Sequence, residues 1–98
     1  MTIEIKRNAE ETTLVVEGRL DTTTASSLEK IINEDIDGTK NLILDMSSLE
    51  YISSAGLRVL LGAQKKMQKI GSMTLKNVCE DVMDVFEMTG FADILTIE

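Results

Sequence analysis

The sequence predicts an α/β fold, with a mixed sheet of four to five strands and three to four helices packed against it. Three observations carry this. Two runs with strand-like alternation open the chain, separated by the polar stretch Asn8-Ala9-Glu10-Glu11. From Leu20 onward, runs at helical spacing alternate with short apolar runs, which calls for parallel strands joined by right-handed helical crossovers. The 98 residues suffice for one hydrophobic core and are too few for two.

The elements follow in order. Ile3 and Ile5 alternate with Thr2, Glu4 and Lys6, and Thr13-Leu14-Val15-Val16-Glu17 follows, so the chain begins as a β-hairpin ending at Gly18. Thr22, Thr23, Thr24 and Ser26 lead into Ala25, Leu28, Ile31 and Ile32, which predicts a first helix from Thr23 to Glu34. Asn41-Leu42-Ile43-Leu44-Asp45 is a short, nearly continuous apolar run and reads as a central strand buried on both faces. Met46 to Gly56 reads as a loop. Leu57, Leu60, Leu61, Gln64 and Met67 then recur at helical spacing, predicting a second helix from Ser54 to Ile70 with Gly71 as its C-cap. Met73 to Lys76 alternates as a strand, and Val78, Val82, Val85 and Phe86 form the inner stripe of a third helix closed by Gly90. Phe91 to Ile97 offers a last turn and an edge strand. Such sheets gather functional groups at the carboxyl ends of central strands, so a site is expected within Asp45 to Gly56.

Composition removes several function classes. Ten Lys plus Arg against 17 Asp plus Glu give a net charge of -7, which repels the phosphates of nucleic acid and of anionic lipid. Zero His removes the commonest general base and metal ligand, and one Cys makes neither an internal disulfide nor a thiolate zinc site. As a general base only carboxylates such as Asp21 and Asp45 are available, with no His, metal cluster or Cys partner, so the chain is not read as an enzyme or as a metal protein. The alternating N-terminus is unlike a signal peptide and no long apolar stretch occurs, so the cytoplasm is the expected compartment, without membrane attachment.

Several residues invite a functional reading beside an ordinary one. Ser53 and Ser54 start the second helix, where a serine is commonly an N-cap; the same position tolerates a phosphate, because exposed N–H groups and the helix dipole favour negative charge. Asp21 is ordinarily a turn or capping residue, yet its place after the second strand can bring it near Ser53-Ser54. Arg58, one turn into the second helix, suits contact with a phosphate or an acidic partner residue. Asn33 to Gly38 mimics the first half of a calcium loop, but its twelfth position is Leu44 where a bidentate Glu is needed, so calcium binding is rejected. Cys79 has no His beside it and acidic neighbours in Glu80 and Asp81, so it reads as structural. The Met residues read as core filler.

Three ordered segments resemble the STAS domain of the anti-sigma factor antagonist type. They are Gly18-Arg19-Leu20-Asp21 with Thr24-Ala25 and Leu28; Leu42-Ile43-Leu44-Asp45-Met46-Ser47 with Ile52-Ser53-Ser54-Ala55-Gly56-Leu57; and Leu75-Lys76-Asn77-Val78 with Thr89-Gly90-Phe91 and Ile94-Leu95. The resemblance spans nearly the whole chain and implies one STAS domain over residues 1–98. It implies a partner switch: the unphosphorylated antagonist binds an anti-sigma factor that is also a serine kinase, phosphorylation releases it, and a serine phosphatase resets the cycle. It implies too that the nucleotide belongs to the kinase, so that this chain needs no cofactor and catalyses nothing. By position the phosphoacceptor is Ser54, with Asp21 beside it; Thr22, Thr24, Ser53, Ala55, Gly56 and Arg58 complete the partner-binding set. Ser53 stands where the family usually has Asp, Ala55 where it has Ser or Thr, and Arg58 where the residue is often small. The alternative is a small-ligand or nucleotide-binding module that uses the helix start at Ser53 to Gly56. A monomer or weak dimer is expected, since one sheet edge is left exposed.

Overall fold

The computed structural model describes residues 2–34 and 36–98. In chain order the elements are β1 (Thr2–Asn8), β2 (Glu11–Leu20), α1 (Thr22–Glu34), β3 (Asn41–Ile52), α2 (Ser54–Ile70), β4 (Ser72–Lys76) and α3 (Glu80–Thr89), followed by a 3-10 turn at Phe91–Asp93. The sheet has four strands in the order β1-β2-β3-β4. β1 and β2 pair antiparallel, whereas β2 with β3 and β3 with β4 pair parallel. Because the strand order advances in one direction, right-handed crossovers put α1 and α2 on the same face of the sheet.

That one-sided layering shapes the core. Leu14, Val16, Leu42, Leu44, Met46, Met73 and Leu75 point into the helix-covered face and are buried against Ala25, Leu28 and Ile32 of α1, Leu57, Leu60 and Met67 of α2, and Val82 and Phe86 of α3. The strand residues between them, Val15, Ile43, Asp45 and Thr74, are only half-buried. Asn41 to Asp45 is therefore central but buried on one face, because both crossovers leave the other face without a helix. Of the methionines, Met46, Met67 and Met73 do fill the core, while Met88 stands on the surface, 86% exposed.

Two strands run on past the ends expected of them. The hairpin does not stop at Gly18, since β2 runs on to Leu20, and the segment from Met46 is no loop, since β3 continues to Ile52. Both extensions share a cause. Val15 pairs with Asp45 but Glu17 with Ser48, and Gly18 pairs with Leu49 but Arg19 with Tyr51, so β3 carries an extra residue at each step. Each bulge delays the return to the core by one position, and the buried residues Met46, Leu49 and Ile52 fall three apart, a spacing that hides a strand.

The remaining elements follow local rules. Gly90 ends α3 in the left-handed conformation, with φ 82°. Gly71 ends α2 for a different reason: its φ of 172° suits any residue, but a Cβ there would lie 1.8 Å from the Lys40 carbonyl oxygen. Val78 precedes α3 and does not belong to its stripe, since the helix starts at Glu80. The expected last strand is reduced to a single bridge between Leu75 and Ile97. Asn33 and Glu34 of the rejected calcium-loop mimic end α1, while Asp35 lies outside the described residues. Lys66 of α2 donates to the Ile32 carbonyl near the end of α1 at 2.9 Å, tying the two helices together.

Candidate functional site

The carboxyl ends of β2 and β3 lie side by side, and each feeds directly into a helix. The Ser53 N–H donates to the Leu20 carbonyl at 2.9 Å. Asp21 and Ser54, the residues next in sequence, are thereby brought to one edge of the sheet, as the sequence suggested for Asp21 and the Ser53-Ser54 segment. Gly56 makes the close fit possible: a Cβ there would lie 2.8 Å from Leu20 Cγ and 2.9 Å from Ile52 Cγ1.

At the start of α1 the polar groups are paired internally. The Asp21 carboxylate accepts from the backbone N–H groups of Thr23 and Thr24 at 3.0 and 3.1 Å. In return the Asp21 N–H donates to Thr24 Oγ1 at 2.9 Å, which closes a reciprocal capping box. The Thr24 hydroxyl donates in turn to the Arg19 carbonyl at 2.7 Å, fastening the box to the end of β2. The Thr24 N–H, and after it the other donors around it, holds the Asp21 carboxyl below its ordinary value of 3.8. Asp21 and Thr24 thus shape the helix start. Thr22 remains exposed.

At the start of α2 the two serines divide the work. Ser53 is the N-cap, half-buried, with its Oγ accepting from the Gly56 N–H at 3.3 Å. Ser54 is the first helical residue, exposed, and its hydroxyl has no hydrogen-bond partner among the described residues. The first turn of α2 holds no acidic residue, so nothing there opposes the positive end of the helix dipole. Arg58 lies four residues beyond Ser54, exposed and without an ion pair among the described residues. Thr22, Ser26 and Glu29 of α1 face Ala55, Arg58 and Val59 of α2 across a shallow depression of about 230 Å³. Gly56 itself is buried and offers no side chain to a partner.

Two further residues at this edge were not singled out from sequence. Arg19 and Tyr51 pair across β2 and β3, and the guanidinium lies 4.2 Å from the ring centroid, a cation–π contact on the rim. Only the register set by the β3 bulges brings them together. Cys79 is half-buried, with Sγ 3.4 Å from the Leu49 carbonyl oxygen, a structural placement. No group of acidic, Cys or His side chains suited to hold a metal occurs among the described residues. Among the described residues no helix is long and apolar enough to cross a membrane.

The family model of the STAS domain matches residues 2–98. The chain belongs to the STAS domain family. Among relatives, BtrV of Bordetella bronchiseptica is 34% identical over 84 residues, covering 84% of this chain and 72% of that protein. The anti-sigma-B factor antagonist of Bacillus subtilis is 27% identical over 96 residues, covering 97% of this chain and 88% of that one. The unphosphorylated form of the Bacillus anti-sigma factor antagonist SpoIIAA superposes with a TM-score of 0.79 at 17% identity, covering 99% of this chain and 87% of that one. Its phosphorylated form superposes with a TM-score of 0.78 at 18% identity, covering 99% and 91%. The STAS fold therefore places the starts of α1 and α2 together at one sheet edge in this chain, and the expectation of an α/β sheet with helices against it holds with four strands and three helices.

Proposed function

We propose that residues 1–98 form one STAS domain that serves as an anti-sigma factor antagonist, a regulator that works by binding and catalyses nothing. Its relatives in Bacillus subtilis and Listeria monocytogenes carry that name, for the sigma-B system. The finer reading is a switch at Ser54 operating in the cytoplasm. An anti-sigma factor with serine kinase activity binds the unphosphorylated domain, phosphorylates Ser54 and lets go; a serine phosphatase restores binding.

The observation that carries this reading is the contrast between two adjacent hydroxyls. Ser53 Oγ is committed to the Gly56 N–H, whereas Ser54 is exposed at the first turn and has no partner among the described residues. A kinase can reach Ser54 without dismantling a cap, and the helix start tolerates the added charge. The fold then stays intact while the surface changes. A phosphate brought against a complementary partner surface without a counter-charge is desolvated and unpaired, at a cost of about 3–5 kcal/mol. That weakens binding by a factor of about 10² to 10⁴, enough to switch it off.

The contact surface in this reading is the exposed Thr22, Ser54 and Arg58 with the half-buried Ala55 beside them, and Asp21, Thr24, Ser53 and Gly56 hold the helix starts in place. The depression between α1 and α2 is smaller than the roughly 300 Å³ at which small-molecule sites begin, so a ligand-binding module is the weaker account. Affinity capture from the native cell with Ser54→Ala and Ser54→Asp variants tests the proposal. A serine kinase that also binds a sigma factor is expected to be retained by Ser54→Ala and lost by Ser54→Asp; equal retention by both contradicts the switch.

A further inference from the structure

The outer edge of β1 faces away from β2 and β3, the strands that lead into the helix starts at Asp21 and Ser53, and among the described residues no strand pairs with it. β1 is seven residues long, contains no Pro, and pairs with β2 from Thr2 to Asn8 without a register shift, so its outer edge is a regular row of backbone groups. On its helix side Ile5 is left 40% exposed at the middle of the strand, beside the half-buried Ile3. Such an edge either carries devices that block pairing or is used.

We propose that it is used by a second copy of this chain, pairing antiparallel about a two-fold axis at Ile5. The sequence of the strand is self-complementary in that register alone. Thr2 stands opposite the second copy's Asn8, Ile3 opposite Arg7, Glu4 opposite Lys6, and Ile5 opposite Ile5, so all seven residues pair and each Glu4 meets a Lys6. Shifting by two residues sets Glu4 against Glu4 or Lys6 against Lys6. Shifting by one sets side chains of opposite sheet faces against one another and parts the two Ile5 side chains. The charges that would protect the edge from a foreign strand therefore select this partner. The product is an eight-stranded sheet with all helices on one side, two Glu4–Lys6 pairs on the open face and the Ile5 pair covered on the other. Ser54 follows β3, two strands away from the joined edge, so each copy keeps its helix starts open.

The contact is small, and pairing of this size belongs to the weak, transient class. Sedimentation velocity of the full chain from about 10 µM to about 1 mM spans the affinities of that class. The wild-type chain is expected to shift from monomer to dimer across the range. Lys6→Glu, which puts two acidic pairs across the joint, is expected to stay monomeric with an unchanged far-UV circular dichroism spectrum. The double variant Glu4→Lys/Lys6→Glu restores every opposite-charge pair and is expected to dimerise again. A wild-type chain that is monomeric at every concentration, a dimer indifferent to Lys6→Glu, or a double variant that fails to recover would each overturn the proposal.

Discussion

The starts of α1 and α2 sit next to each other, follow neighbouring strands and are both capped, yet they differ in what they leave unspent. At α1, Asp21 accepts two backbone N–H groups and Thr24 returns a bond to the Asp21 N–H, so the capping side chains are consumed internally. At α2, one longer bond of 3.3 Å from Gly56 to Ser53 does the capping, and the neighbouring hydroxyl of Ser54 faces solvent. One helix start ties up its capping groups and its neighbour leaves a hydroxyl exposed and unbonded among the described residues. The pairing has a physical logic, because the firm start at α1 is tied to the end of β2, against which the looser start of α2 is held by the Ser53 N–H.

Substitutions break this contrast in a graded way. The largest effect is expected from Gly56→Ala, which drives a Cβ to within 2.8 Å of Leu20 Cγ and pries the two helix starts apart. A loss of about 1–3 kcal/mol is expected from such overpacking, and each kcal/mol lowers the melting temperature of a domain this size by about 4–8 °C, readable by calorimetry. Asp21→Ala comes next, since it removes the acceptor of two N–H groups and the anchor of the capping box. Its melting temperature is expected to fall further than that of Ser53→Ala, which loses a single cap bond worth about 1 kcal/mol. The reverse order would mean that α2 is the firmer start.

Acid sharpens the same contrast. The Asp21 carboxyl is held below its ordinary value of 3.8, and so is that of Asp45, which accepts from the Ser47 N–H and the Asn77 side chain. A carboxyl with a lowered pKa in the folded state lends stability that is fully present above the unfolded value and is lost as pH falls through the folded one. Thermal melts between pH 5 and pH 2 are therefore expected to show a decline beginning near the ordinary carboxylate value and shallower in Asp21→Asn. An identical slope in the variant would show that the cap carries no such stability. Ser54→Ala is expected to do least of all to the fold, within about 0.5 kcal/mol of wild type in a denaturant titration, because it removes no bond.

The sequence made some of this legible and hid the rest for definable reasons. α2 was readable from end to end, since Leu57, Leu60 and Met67 mark its inner face and Gly71 its end. The second half of β3 was not, because two bulges turn a two-residue alternation into buried residues at Met46, Leu49 and Ile52. For the same reason the Arg19–Tyr51 contact escaped notice, since its register depends on those bulges. Ser53 and Ser54 both stood out, but a string of letters does not say which hydroxyl is tied to a backbone N–H. The single-sided sheet was hidden too: the apolar run around Ile43 looks like a strand covered on both faces, and only the direction of strand order shows that its outer side is open.

The central claim is that Ser54, and not its neighbour, is the residue that is modified. Intact mass with site mapping of the protein isolated from its own cells, with and without phosphatase treatment, tests it most directly. The account predicts an added mass of about 80 Da that phosphatase removes and that fragmentation places on Ser54. A phosphate mapped to Ser53, or no phosphate under any growth condition tried, would contradict it.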